Sequence, residues 1–297
     1  MKLVGKFLLI LLGVVLALLL VAAAAFRLAN RTNGRLVSSG VKRAYLLHVP
    51  DSYDPSVPTP LVISIHGYAE WAAHQAQISR WNDMADRYGF IVVYPSGTDF
   101  PLRWKMQAGD NSDVTFISDL IDQLEKDYNI DSRRIHANGL SNGGGMSFVL
   151  SCALADRIAS VGMVSGAYLL PWDKCQPSRL VPAVLFHGTA DGVVPYYGGP
   201  SGPFDLPFPN IPEWVQALAE RNGCSRAPEG LPPSGDVSGV RYLGCEADVV
   251  FYTITGGGHA WPGGEPMPER IVGYTTDDIN ATAVMWEFFE EHPLEGE

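Results

Sequence analysis

The sequence predicts an α/β fold, with a mainly parallel, doubly wound sheet held in a three-layer sandwich between helices. Two observations carry this. Short apolar runs, most of them rich in β-branched residues, recur at Leu61 to Ile65, Phe90 to Tyr94, Ile135 to Leu140, Ile158 to Val164, Val181 to Phe186 and Val249 to Ile254, as in strands buried on both faces. Helical stretches separate most of them, and such alternation along one chain builds a parallel sheet covered on both sides.

Taken in order, Lys2 and Lys6 flank the start of an almost uninterrupted apolar run from Phe7 to Phe26, which Arg27 and Arg31 follow. About 20 apolar residues suffice to span a bilayer as a helix, whereas Ala22 to Ala25 offers the small residues that a signal peptidase accepts. Residues 1–27 are therefore expected to contact a membrane, as an uncleaved anchor or as a cleaved signal; the length of the run favours the anchor. Basic residues ahead of the run place the remainder of the chain outside the cytoplasm, against a weaker contrary signal from Arg27 and Arg31. The protein is thus expected to be extracytoplasmic, either secreted or membrane-anchored. Residues 28–40 are polar and read as a tether, leaving 41–297 as one folded domain.

Within that domain Tyr45 to Val49 reads as a strand and Trp71 to Tyr88 as a helix. From Asp113 to Tyr128, Val114, Ile117, Leu120, Ile121 and Leu124 form one apolar stripe, with Ser112 or Asp113 as the cap. Asn142 to Ala155 is a helix with a glycine-rich first turn. Pro195 to Pro212 reads as a surface loop, Glu213 to Arg221 as a helix and Asp278 to His292 as the closing amphipathic helix.

Composition removes several classes of function. Hydrophobic residues make up 46% of the 297, enough for a large core and too many for a disordered chain. A formal charge of -11 repels phosphate backbones, and no basic cluster offsets it locally, so nucleic acid is not an expected partner. Cys152, Cys175, Cys224 and Cys245 are even in number and lie on the expected outer side. They allow three disulfide pairings, of which the sequential one closes the two shortest loops. The spacing does not suit a zinc site. A monomer is the default expectation.

Gly139-Leu140-Ser141-Asn142-Gly143 fits the G-x-S-x-G nucleophile elbow, which places a serine on a sharp turn between a strand and a helix. The motif lies where the Ile135 to Leu140 strand meets a helix. That is the junction an α/β-hydrolase fold requires. In such a fold the acid and then the histidine follow the serine, each on a loop after a later strand. Asp191, just past the Val181 to Phe186 strand, fits the acid. His259 follows the last strand behind Gly256-Gly257-Gly258 and fits the base, whereas His187 precedes the acid and His292 lies in the polar tail.

The expected chemistry is acyl transfer. His259 takes the Ser141 proton as the hydroxyl attacks a carbonyl, Asp191 holds the ring, and water cleaves the acyl-enzyme. No metal or organic cofactor is needed. Charge on the carbonyl oxygen needs preorganised donors; the expected ones are the backbone N–H groups of Asn142 and of Tyr68, in the turn after the early strand. Trp104 and Trp261 are the expected substrate contacts among the aromatic residues near these loops.

Several segments together resemble the polyhydroxybutyrate depolymerase and feruloyl esterase family. They are His66-Gly67-Tyr68, Ile130-Asp131-Ser132-Arg133-Arg134-Ile135, Gly139 to Met146, His187-Gly188-Thr189-Ala190-Asp191 with Val194-Pro195-Tyr196, and Gly256 to Gly263. The resemblance implies a serine carboxylic-ester hydrolase, the same triad, and disulfides Cys152 to Cys175 and Cys224 to Cys245. It leaves open which ester is cleaved. A peptidase or an acyltransferase of the same fold, and a binding protein that has lost the chemistry, are the alternatives.

Overall fold

The computed structural model describes residues 2–106, 109–201 and 206–295; in the first helix, side chains are described at 6, 11–21, 24 and 26. That helix, α1 (Lys2–Ala29), covers the whole apolar run. Its described apolar side chains, such as Leu16 and Leu19, are exposed. Among the described residues no helix is long and apolar enough to cross a membrane.

One sheet of ten strands organises the domain. In chain order they are β1 (Gly34–Ser38), β2 (Val41–His48), β3 (Thr59–Ile65), β4 (Ile91–Pro95), β5 (Ile130–Leu140), β6 (Val161–Val164), β7 (Ala183–Gly188), β8 (Arg226–Ser234), β9 (Val237–Leu243) and β10 (Val249–Ile254). Their spatial order is β1-β2-β4-β3-β5-β6-β7-β10-β9-β8. From β4 to β10 every neighbouring pair is parallel. Antiparallel pairs extend the sheet at both edges. This is the α/β-hydrolase fold.

Alternation within the strands supplies two cores. Leu61, Ile63 and Ile65 of β3 pack on one face with α4 (Ser112–Asp127), α5 (Asn142–Ala153) and α6 (Ile211–Arg221). Val62 points the other way, into a core with α2 (Ala72–Ser79), α3 (Trp81–Tyr88) and α8 (Ala281–Glu291). Period-two side-chain placement on a sheet covered on both faces explains why these strands are apolar throughout.

Three expectations need correction. The tether at 28–40 contains β1, whose five residues pair with β2, so the ordered sheet begins at Gly34. The helix expected over 71–88 is two helices, because Arg80 adopts φ 55° and turns the chain between α2 and α3. Neither Ser112 nor Asp113 caps α4. Asn111 holds the N-cap position, and buried Asp113 instead pairs with Arg43 at 2.7 Å and accepts from the Lys105 N–H at 2.8 Å. The β8–β9 hairpin was not expected at all. The cysteines pair sequentially, Cys152 with Cys175 and Cys224 with Cys245, which suits an oxidising, extracytoplasmic compartment.

Candidate active site

Ser141 stands between β5 and α5 with φ 59° and ψ −118°, a conformation that costs an L-residue of order 1–3 kcal/mol. Neighbouring contacts hold it there. The Ser141 N–H donates to Val164 O at 2.9 Å, and its carbonyl accepts from the N–H groups of Gly145 and Ala167, each at 2.9 Å. Gly143 must be glycine, because a Cβ would drive into the Ile65 carbonyl of β3. The elbow's small residues thus answer to close backbone packing.

Asp191 lies just past the end of β7 and is fixed through both oxygens. Its Oδ1 accepts from the N–H groups of Val193 and Val194, each at 2.8 Å, and its Oδ2 lies 2.8 Å from His259 Nδ1. Burial raises the carboxyl pKa, but the adjacent His259, the His187 ring and the Val194 N–H outweigh it and hold the group below its ordinary value. An ionised Asp191 can only accept, so Nδ1 of His259 carries the hydrogen. In the neutral ring Nε2 is then left as the acceptor.

The histidine loop is held by an element the sequence did not reveal. The His259 N–H donates to Val272 O, in the short α7 (Glu269–Val272), and the Gly258 N–H donates to Tyr274 O at 2.8 Å. His187 backs the acid from below, 3.4 Å from Asp191 Oδ2, while its Nε2–H donates to Val194 O at 2.9 Å.

Ser141 opens onto a cavity of about 590 Å³ whose walls include Tyr68, Trp104, Asn142, Val193 and Phe208. Val193 ties the two halves of the site together, since it lines this cavity and also holds Asp191. Tyr68 and Asn142, whose amides were expected to meet the oxyanion, share it with the serine. As the first residue of α5, Asn142 has an N–H with no acceptor inside the helix. Its side chain has a role that the sequence concealed: Oδ1 accepts from the Trp104 N–H at 2.6 Å and Nδ2 donates to Trp104 O at 3.2 Å. The carboxamide therefore clamps the cavity wall to the elbow.

The turn bearing Tyr68 is built around His66. Its Nδ1–H donates to Gly67 O at 2.7 Å and its Nε2 accepts from the Gly97 N–H at 2.9 Å. Burial lowers its pKa to about 4, so the ring is neutral and structural.

The two tryptophans differ. Trp104 lines the cavity but is 2% exposed, with Nε1–H bonded to His66 O at 2.9 Å, so it forms a fixed wall. Trp261, also expected to touch substrate, stands apart from the cavity. It is buried in the core against α2, α3 and α8, and its Nε1–H donates to Thr282 Oγ1 at 2.9 Å. Proximity to His259 in the chain was a poor guide because the backbone turns inward after the histidine.

Comparison with known proteins agrees with this architecture. The chain matches the family described as Esterase PHB depolymerase over residues 44–171. It is 32% identical over 228 residues to a probable feruloyl esterase C of Aspergillus clavatus, covering 74% of this chain and 77% of that protein. Feruloyl esterase C of Emericella nidulans is 30% identical over 264 residues, 87% of each chain. Among solved structures, an acetyl xylan esterase from Aspergillus awamori superposes with a TM-score of 0.61 at 16% identity, covering 84% of this chain and 94% of that one. That likeness shows the fold.

The protein is a carboxylic ester hydrolase, and esters are its substrates. More particularly, the chain belongs to the polyhydroxybutyrate depolymerase and feruloyl esterase family.

Proposed function

We propose that Ser141, His259 and Asp191 carry the hydrolysis as a triad. The ionised Asp191 orients His259 through Nδ1, and Nε2 takes the Ser141 proton as Oγ attacks the ester carbonyl. The N–H groups of Tyr68 and Asn142 meet the developing oxyanion. Nε2 then returns its proton to the leaving alcohol, and water, deprotonated by the same nitrogen, releases the acid. The observation that supports this most is the 2.8 Å contact between Asp191 Oδ2 and His259 Nδ1, with Oδ1 independently held by two backbone amides.

The cavity walls at Met106, Leu169, Val193 and Phe208 are apolar and suit an acyl group, including an aromatic one. Soluble oligomers or cell-wall-linked esters are the proposed natural substrates. The enzyme acts outside the cytoplasm as a monomer, with the apolar N-terminal segment directing it to or holding it at a membrane.

Hydrolysis of a panel containing a short nitrophenyl ester, methyl ferulate and a hydroxybutyrate oligomer tests the reading, with Ser141→Ala as control. The wild type should cleave the short ester, and the variant should lose at least about 10³-fold in kcat/KM. Equal rates for the two proteins would remove the triad.

A further inference from the structure

The turn that carries Tyr68 closes on a carboxylate outside the proposed triad. The Gly67 N–H donates to Glu70 Oε2 at 2.9 Å, and the Glu70 N–H returns a bond to Gly67 O at 3.3 Å. The remaining groups of the turn are tied outward: Trp104 Nε1–H to His66 O at 2.9 Å and the Ala69 N–H to Leu102 O at 2.8 Å. Ala69 sits at φ 60°, a conformation that an alanine adopts only where its surroundings impose it. The turn also lies directly on the nucleophile, since a Cβ at Gly67 would stand 2.8 Å from Glu70 Oε2 and 3.5 Å from the Ser141 Cβ.

Glu70 keeps its charge there. Burial works to raise its pKa, but the His74 imidazole, 3.5 Å away, and the Gly67 N–H bring it below the ordinary carboxylate value. A charged acceptor on a backbone N–H is shorter and stronger than a neutral one. The Gly67 N–H belongs to the His66–Gly67 peptide, and the following Gly67–Tyr68 peptide, whose N–H is the proposed oxyanion donor, is held through Gly67 O by the Glu70 N–H and by His66 Nδ1–H at 2.7 Å, so Glu70 grips both peptides and fixes the rotation at Gly67 between them.

We infer that Glu70 is a positioning residue that aims the Tyr68 N–H at the oxyanion by holding the Gly67 N–H, an inference that rests on the proposed role of Tyr68. A donor displaced by about 1 Å can cost up to about 10²-fold in rate. That loss falls on the transition state and leaves ground-state binding alone.

The test compares Glu70→Gln, Glu70→Asp and Glu70→Ala in the full chain with a short nitrophenyl ester. Glu70→Gln keeps an oxygen at the same reach, though a weaker neutral acceptor, and should lose no more than about 3-fold in kcat. Glu70→Asp keeps the charge but withdraws it by one methylene, and it should fall with Glu70→Ala by about 10- to 100-fold in kcat, with KM within about 2-fold. Inhibition by an aryl trifluoromethyl ketone reads the donor separately. Serine Oγ adds to its carbonyl carbon, His259 takes the hydroxyl proton, and the former carbonyl oxygen becomes the bound anion. Its Ki should rise in step with the loss in kcat/KM. Circular dichroism melts show whether each variant is folded, and should Glu70→Ala unfold, the Gln and Asp pair decides. Unchanged kcat in Glu70→Asp, or a loss confined to KM, overturns the inference. A fall in kcat with an unchanged Ki for the ketone would instead overturn the oxyanion role of Tyr68, so the two failures are distinguishable.

Discussion

The elbow from Gly139 to Gly145 and the β8–β9 hairpin belong to one sheet but meet different constraints. At the elbow a Cβ added to Gly143 drives into the Ile65 carbonyl, whereas at Gly230 in β8 an added Cβ meets nothing within 4 Å. Every residue of the elbow is buried, while β8 is exposed along almost its whole length. Where backbones pack closely, residue type is dictated by space. At an open edge it is not, and the sequence there carries little structural information.

The strongest way to break this contrast is a pair of substitutions. Gly143→Ala should destabilise the protein by about 3 kcal/mol, because the clash is with backbone that cannot swing aside. Gly230→Ala should stay within about 0.5 kcal/mol of wild type. Urea unfolding followed by tryptophan fluorescence measures both, and similar losses at the two positions would show that burial does not separate them.

Acid sensitivity sharpens the same contrast, because the interior holds titratable histidines and the hairpin has none. Burial lowers His66 to about 4 and His136 to about 3, from 6.5 in the exposed state; near Arg134 and His292, His136 is further disfavoured as a cation. Between these values and 6.5 the unfolded chain binds more protons than the folded one. The stabilisation is therefore complete above pH 6.5 and is lost as pH falls toward 4, by about 3 kcal/mol for each ring at the acid end. Unfolding free energies at pH 7 and pH 4.5 should differ accordingly. His136→Phe, which preserves the stacking on Phe289, should flatten the difference, and an unaltered slope would show that His136 is not its source.

Much of the site was legible because its chemistry forces backbone geometry. The sharp turn at Ser141 was expected from its motif, and the contact between Asp191 and His259 from strand order along the chain. Less legible were features set by distant partners. Arg80 breaks a helix through a left-handed backbone, β1 lies within a polar stretch, and β8 carries prolines that a strand tolerates only at an open edge. Nothing local in the sequence shows that Asn142 grips Trp104, or that the chain turns Trp261 away from the cavity.

The two tryptophans provide the smallest of these tests. Trp104→Phe removes the donor to His66 O and alters a cavity wall, so KM should rise a few-fold. Trp261→Phe removes the donor to Thr282 and should lower stability by about 1 kcal/mol while leaving kcat/KM within about 2-fold. Steady-state kinetics beside thermal melts separate the two outcomes. A KM effect at Trp261 would restore it as a substrate contact.

The proposed triad requires that the hydroxyl at position 141 become covalently acylated during turnover. Intact-protein and peptide mass spectrometry after reaction with an alkyl fluorophosphonate tests it directly. A single adduct on the peptide containing Ser141, absent in Ser141→Ala and much slower to form in His259→Ala, is the predicted result. Labelling at another residue, or an equal rate in the histidine variant, would contradict it.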